Sequence, residues 1–104
     1  MLNIRPAQEK DIDAIFELIL GLAAYEQLSD RVTGNTELLR SHLFGSRPCA
    51  EAIVAEFDRQ VVGFGLFFPT YSTFLTQPGI HLEDVFVQPE YRRQGVGKAL
   101  MTAI

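Results

Sequence analysis

A chain of 104 residues, 47% hydrophobic and 21% charged with a formal net charge of -4, suits one soluble globular unit and excludes a disordered or fibrous one. Its single cysteine, Cys49, excludes an intrachain disulfide framework, and no apolar run is long enough to span a bilayer. Mild acidity argues against a nucleic-acid surface and suits a cationic partner. The opening residues go straight to Asn3, Arg5 and an acidic stretch, with no signal-peptide core.

Leu2 to Arg5 reads as a short strand that Pro6 ends. Gln8 to Ala24 carries a helical stripe of Ile12, Ile15, Phe16, Ile19 and Leu22, with Leu18 and Leu20 at its margins. Glu9 and Asp11 sit in the first turn, where they suit the helix dipole, and Gly21 permits a bend or close packing. Tyr25 to Val32 is polar and irregular. Thr33 or Asn35 can cap a second helix through Phe44, which carries His42 and offers Leu38, Leu39, Leu43 and Phe44 for burial. Two strands follow, Ala50 to Phe57 and Val61 to Phe68, joined by a turn near Asp58-Arg59-Gln60 that lacks glycine. Cys49, just before the first of them, fits an ordinary buried or partly buried thiol. Pro69 to Pro78 reads as a connection, and Ile80 to Val87 as a fourth strand.

Beyond that strand lie a turn at Gln88-Pro89-Glu90 and a helix whose mouth is Arg92-Arg93-Gln94-Gly95-Val96-Gly97. Val96, Ala99, Leu100, Ala103 and Ile104 recur at the spacing of one buried helical face. Glycines at a strand-to-helix junction clear side chains from unpaired backbone N–H groups at the positive end of the helix dipole, where a phosphate fits without a metal. The spacing is neither the phosphate loop of nucleotide triphosphatases nor a complete dinucleotide fingerprint. Two glycines in the first turns of a helix still want a reason, since each costs about 1 kcal/mol relative to alanine inside one.

The fuller pattern, an apolar strand, then Val87-x-Pro89-x-x-Arg92-x-x-Gly95-x-Gly97, then an amphipathic helix, resembles the acetyl-coenzyme-A-binding motif of the GNAT N-acetyltransferase superfamily. Leu82-Glu83-Asp84-Val85-Phe86-Val87, with Gly63-Phe64 and Thr70-Tyr71 further back, resembles its diamine branch, which includes spermidine/spermine and thialysine N-acetyltransferases. The resemblance implies an α/β (α+β) fold in the order β-α-α-β-β-β-α, with a mixed central sheet flanked by helices. Family members usually run about half as long again, so the expectation is one domain over 1–104 that lacks the C-terminal strands and helix.

By resemblance, the coenzyme's pyrophosphate would lie on Gln94, Gly95, Val96, Gly97 and Lys98, with Arg92 adding a charged contact. Arg93 is solvent-facing or an outer phosphate contact, and Lys98 reaches a phosphate or is solvated. The pantetheine arm would run along exposed backbone groups at Phe86 and Val87. Glu83 stands where the diamine branch has its proton acceptor, and Asp84 would attract the amine. A regular strand would point these two neighbours to opposite sides, and a bulge could change that. The other reading is that both are strand-end carboxylates attracting cations or ion-pair partners. Tyr25, Glu26 and Tyr71 are candidates to line the acceptor site, with Phe74 beside Tyr71. His81 reads as a surface or hydrogen-bonded residue, and His42 and His81 give no metal-ligand spacing, so no metal is expected.

The implied activity is direct acetyl transfer from acetyl-CoA to a primary amine of a small cationic acceptor, within a ternary complex. The implied setting is a cytoplasmic homodimer without nucleic-acid or membrane partners. Two other classes stay open: a non-catalytic acyl-CoA-binding or assembly fragment, and a nucleotide-binding protein.

Overall fold

A computed structural model describes residues 1–104. Four strands, β1 (Leu2–Pro6), β2 (Glu51–Phe57), β3 (Gln60–Ser72) and β4 (Gln77–Val87), form one sheet in the order β1-β2-β3-β4, and every pairing is antiparallel. Helices α1 (Ile12–Tyr25) and α2 (Thr36–Phe44) fall between β1 and β2, and α3 (Val96–Ala103) follows β4. This is the expected α/β order.

The period-two alternation of the strands divides the core between the two faces of the sheet. Val54, Phe64 and Phe86 pack with Ile15 and Leu18 of α1 on one face. Ile53, Ala55, Val62 and Val87 pack with Val96 and Leu100 of α3 on the other. Helix α3 comes down close because β3 offers Gly63 and Gly65 beneath it. A Cβ at Gly63 would lie 3.4 Å from Leu100 Cδ1, and one at Gly65 would lie 3.0 Å from Ile104 Cδ1.

Several elements differ from the sequence expectation. Leu18, expected at the margin of α1, is core, whereas Phe16 is half-buried, because the face turned to the sheet runs through Ile12, Ile15 and Leu18. Asp11 does not idle at the helix dipole. It is buried and takes two hydrogen bonds from the Arg5 guanidinium, at 2.8 and 3.0 Å, and one from the Gln8 N–H at 2.7 Å. Gly21 serves close packing rather than a bend: a Cβ there would stand 3.3 Å from the Phe86 ring, and α1 runs unbroken past it. Asn35, not Thr33, caps α2 by accepting from the Leu38 N–H at 2.8 Å. Leu38 and Ala103, expected inside, are exposed, as is the Cys49 thiol.

The largest difference is at 69–80. Instead of a connection, β3 and β4 continue as a two-stranded ribbon to a tight turn between Ser72 and Gln77. Pro69 and Pro78 punctuate the sequence there, but both lie beyond the end of β2, where ribbon edges are free and a missing N–H forfeits little.

Candidate functional site

The site forms where β4 ends and α3 begins. Strand β4 is the edge of the sheet, so its outward backbone groups have no strand partner. Alternation of the antiparallel ladder decides which groups these are. The Gln88 N–H donates to the Val62 carbonyl at 2.8 Å, so Val87, opposite Gly63, belongs to a non-bonded pair and turns its backbone outward, as does Val85. Phe86 turns its backbone inward, and its carbonyl would lie 3.0 Å from a Cβ at Gly63. The expectation of an exposed Phe86 backbone is therefore corrected to Val85 and Val87; the Phe86 ring, not its peptide, faces the cleft.

After a 3-10 turn at Pro89–Tyr91, the chain enters α3 through two left-handed residues, Arg93 (φ 67°) and Gly95 (φ 80°). Gly95 is the N-cap of α3 and, having no side chain, leaves the helix mouth uncapped. None of the backbone N–H groups from Arg93 to Lys98 donates within the chain, and the first intrahelical bond runs from the Ala99 N–H to the Gly95 carbonyl at 2.9 Å. Six consecutive free donors, alternating left-handed turns and the positive end of a helix make an anion cradle.

Gly95 is explained by its φ. Gly97 is not. A Cβ there would touch only Val87 Cγ2, at 4.0 Å, so neither packing nor backbone conformation requires glycine. What the missing side chain leaves is clear space on the cleft side, which suits a bulky anionic group lying against the helix mouth.

The cleft has a volume of about 470 Å³ and is floored by Val85, Phe86 and Val87. Leu22, Tyr25 and Glu26 of α1 form one wall, and Arg92, Arg93, Gly95, Val96, Gly97 and Lys98 the other. Arg92 joins the walls. Its Nε–H donates to the outward Val87 carbonyl at 3.0 Å, and its guanidinium lies 4.5 Å from the Tyr25 ring centre and 5.2 Å from that of Phe86. Such stacking positions a cation while leaving its outer N–H groups free for a phosphate. Gln94 points away, its amide donating to the Glu90 carbonyl at 3.3 Å. Tyr25, expected at the acceptor site, stacks on Arg92 in the cleft wall facing the glycine mouth of α3. Neither the stacking partners of Arg92 nor its grip on Val87 carries a sequence signal beyond the presence of an arginine.

The carboxylates lie just upstream on β4. The register pairs Leu66 with Asp84 and Phe67 with Leu82, leaving Glu83 as the extra residue of a bulge. Both acids thus stand opposite Leu66, which packs in the α1-side cluster, and both face that side. A bulge of this kind overrides the opposite facing of a regular strand. Asp84 is half-buried, and its carboxyl is pushed above the usual range, first by burial, then by the charges of Glu83 and Glu26. Glu83 is exposed, with its Oε1 3.6 Å from His81 Nε2. Tyr71 is not brought to this group. It sits on the ribbon, 62% exposed, seven β4 residues from Val85 by its pairing with Pro78, or roughly 23 Å along the strand. Phe74, at the ribbon tip, is fully exposed. No group of three or more His, Cys, Asp or Glu side chains is arranged to hold a metal ion.

An antiparallel sheet whose edge strand opens beside a glycine-mouthed helix is the α/β architecture of a GNAT-like domain. Residues 15–104 match the acetyltransferase (GNAT) family, and the chain belongs to that family. It is 42% identical over 109 residues to a thialysine N-epsilon-acetyltransferase of Bos taurus, covering 97% of this chain and 64% of that one. It is 30% identical over 147 residues to an L-ornithine N5-acetyltransferase of Arabidopsis thaliana, covering 98% of this chain and 64% of that one. Among solved structures, an aminoglycoside acetyltransferase from an uncultured soil metagenomic sample, in complex with sisomicin, superposes with a TM-score of 0.79. It is 24% identical and is covered over 66% of its length, with 98% of this chain included. The chain thus spans about two thirds of the length of the relatives it matches.

Proposed function

We propose that the chain transfers an acetyl group from acetyl-CoA to a primary amine of a small cationic acceptor, by direct attack in a ternary complex, as one acetyltransferase domain. The observation that carries this reading is Gly97: an otherwise unexplained helical glycine beside six free N–H donors at the mouth of an open cleft. The pyrophosphate of acetyl-CoA fits the cradle from Arg93 to Lys98, with Arg92, Arg93 and Lys98 supplying positive charge. The thioester-bearing arm fits along β4, where Val85 and Val87 offer outward N–H and C=O groups. When bound there, the coenzyme supplies the activated acetyl carbonyl.

The chain's own residues would receive the amine and its proton. Glu26, Glu83 and Asp84 make the α1-side approach to β4 acidic, which attracts an ammonium group. Similarity to thialysine and ornithine acetyltransferases supports a small diamine-like acceptor. The exposed, unbridged Cys49 suits a reducing compartment and supports a cytoplasmic location. The exposed apolar ribbon carrying Tyr71, Phe74, Leu75 and Ile80 supports a homodimer. No helix is long and apolar enough to cross a membrane.

Calorimetric titration of the chain with coenzyme A, and acetyl transfer to a panel of ornithine, thialysine, spermidine and a peptide, test the proposal together. Gly97→Phe should reduce coenzyme affinity at least about a hundredfold by filling the cradle, with the unfolding midpoint little changed. Unaltered affinity would remove the cradle from the site. Binding without turnover of any amine would assign these 104 residues the acyl-CoA-binding role alone.

A further inference from the structure

We infer that Tyr25 is a positioning residue for the coenzyme: its ring holds the Arg92 guanidinium at the mouth of the cleft with its charge free for a diphosphate. This rests on the coenzyme part of the proposed function, and it adds to that site a residue of α1, far in sequence from the glycine mouth.

Two arginines of this chain are held in contrasting ways. Arg5 is held by charge, with Asp11 at 2.8 Å and Glu56 at 3.2 Å, so its cation is compensated within the fold. Arg92 is half-buried and forms no ion pair. Its partners are neutral: the Val87 carbonyl accepts its Nε–H at 3.0 Å, and the ring centres of Tyr25 and Phe86 lie 4.5 and 5.2 Å from its central carbon. A carboxylate would cancel the charge that a phosphate needs. An aromatic face fixes the guanidinium and leaves its charge in place.

The fold delivers Tyr25 to this place through Gly21. The two residues stand four apart on one face of α1. The missing side chain at Gly21 lets α1 lie against the Phe86 ring, where a Cβ would stand 3.3 Å away, and the same face then brings Tyr25 to the guanidinium. Tyr25 is the last residue of α1 and is 66% exposed, so it does not serve as a core side chain. Its stack acts on Arg92, which enters from an irregular stretch between a 3-10 turn and the left-handed Arg93. An unheld arginine gives up rotamer freedom when it closes on a phosphate, and one already held gives up less. The contact is made by the ring face, so phenylalanine would serve equally.

The test compares two probes on the full chain: coenzyme A, and pantetheine, which keeps the thiol-bearing arm and carries no phosphate. Tyr25→Leu should weaken coenzyme A about tenfold, and Tyr25→Phe should restore it to within about twofold of the parent. Pantetheine affinity, read from the Val85 and Val87 amide resonances, should agree within about twofold between Tyr25→Leu and the parent, which also shows that the variant is folded. In an Arg92→Gln background, adding Tyr25→Leu should cost no more than about a further twofold, because the stack is already gone. Three results would each overturn the inference. They are unaltered coenzyme A affinity in Tyr25→Leu, equal losses for the two probes, and a loss in Tyr25→Phe as large as in Tyr25→Leu. Coenzyme A binding that depends on Tyr25, without acetyl transfer to any amine, would support the inference and count against the transfer reading. Acetyl transfer with coenzyme affinity indifferent to Tyr25 would do the reverse.

Discussion

Asp11 shows how much a single residue can carry outside the site. It is 3% exposed and receives three hydrogen bonds, two from Arg5, while Arg5 also reaches Glu56 at 3.2 Å. This cluster ties β1 to the start of α1 and to β2. The Arg5 hydrogen bonds hold the Asp11 carboxyl below its usual range, against the opposing effect of burial, with the Gln8 N–H helping. A depressed native value adds stability above the unfolded value, near about 3.9, and that stability is lost as pH falls through the native value. Asp11→Asn should therefore cost about 2–4 kcal/mol at neutral pH, because it leaves Arg5 half-compensated in a mostly buried place. The variant should also lose less stability than the parent between neutrality and pH 3. Urea unfolding at both pH values measures each effect; equal acid slopes would mean that Asp11 is not the titrating group. The sequence marks Asp11 only as an acid in a first turn. Its partner lies across a strand-to-helix corner whose geometry no local pattern encodes.

At the scale of elements, hydrophobic periodicity was enough to find the strands and helices that bury a face, and the glycine mouth of α3 was legible because its residue types are the chemistry. Two features escaped for physical reasons. The ribbon beyond Phe68 was hidden by Pro69 and Pro78, which usually end strands but are tolerated on free edges. The bulge at Glu83 is a one-residue slip in pairing, set by how β3 and β4 dock, and it decides where two catalytic candidates face. The Asp58-Arg59 turn illustrates a third kind of gap. Both residues take positive φ, 51° and 70°, closing a two-residue hairpin between Phe57 and Gln60 with the dihedral signs of a type I′ turn. Arginine carries a steric penalty there that glycine does not. Arg59→Gly creates the favoured Asp-Gly pair and keeps the Asp58 contact with the N-terminal ammonium at 2.6 Å. It should stabilise the chain by about 0.5–1 kcal/mol, the left-handed penalty less the added flexibility of glycine. A higher urea midpoint with an unchanged slope is the expected result, and a lower midpoint would show that the turn holds Arg59 without strain.

For the whole molecule, the decisive fact is that the cleft and an exposed apolar ribbon lie toward opposite ends of one strand. At the α3 end, the open edge of β4 is the floor of a cleft. At the other end, the ribbon carries Tyr71, Phe74, Leu75 and Ile80, all exposed, with no helix on either face. A two-stranded ribbon is marginally stable alone, and an unpaired apolar edge is a template for another strand. The chain should therefore self-associate through this ribbon as its concentration rises. Replacing Phe74 by Ser and Ile80 by Lys together removes the most exposed ring and charges the edge, and should shift sedimentation at high protein concentration toward the monomer. The substitutions lie far along β4 from Val85, with Ile80 five residues or roughly 16 Å away. Coenzyme affinity should consequently stay within about twofold of the parent unless the cleft itself is completed by a second copy. A monomeric variant with intact binding would separate assembly from the cleft; a monomeric variant that has lost binding would show that the partner copy holds the cleft open, and that β4 is one element in two surfaces of the same assembly.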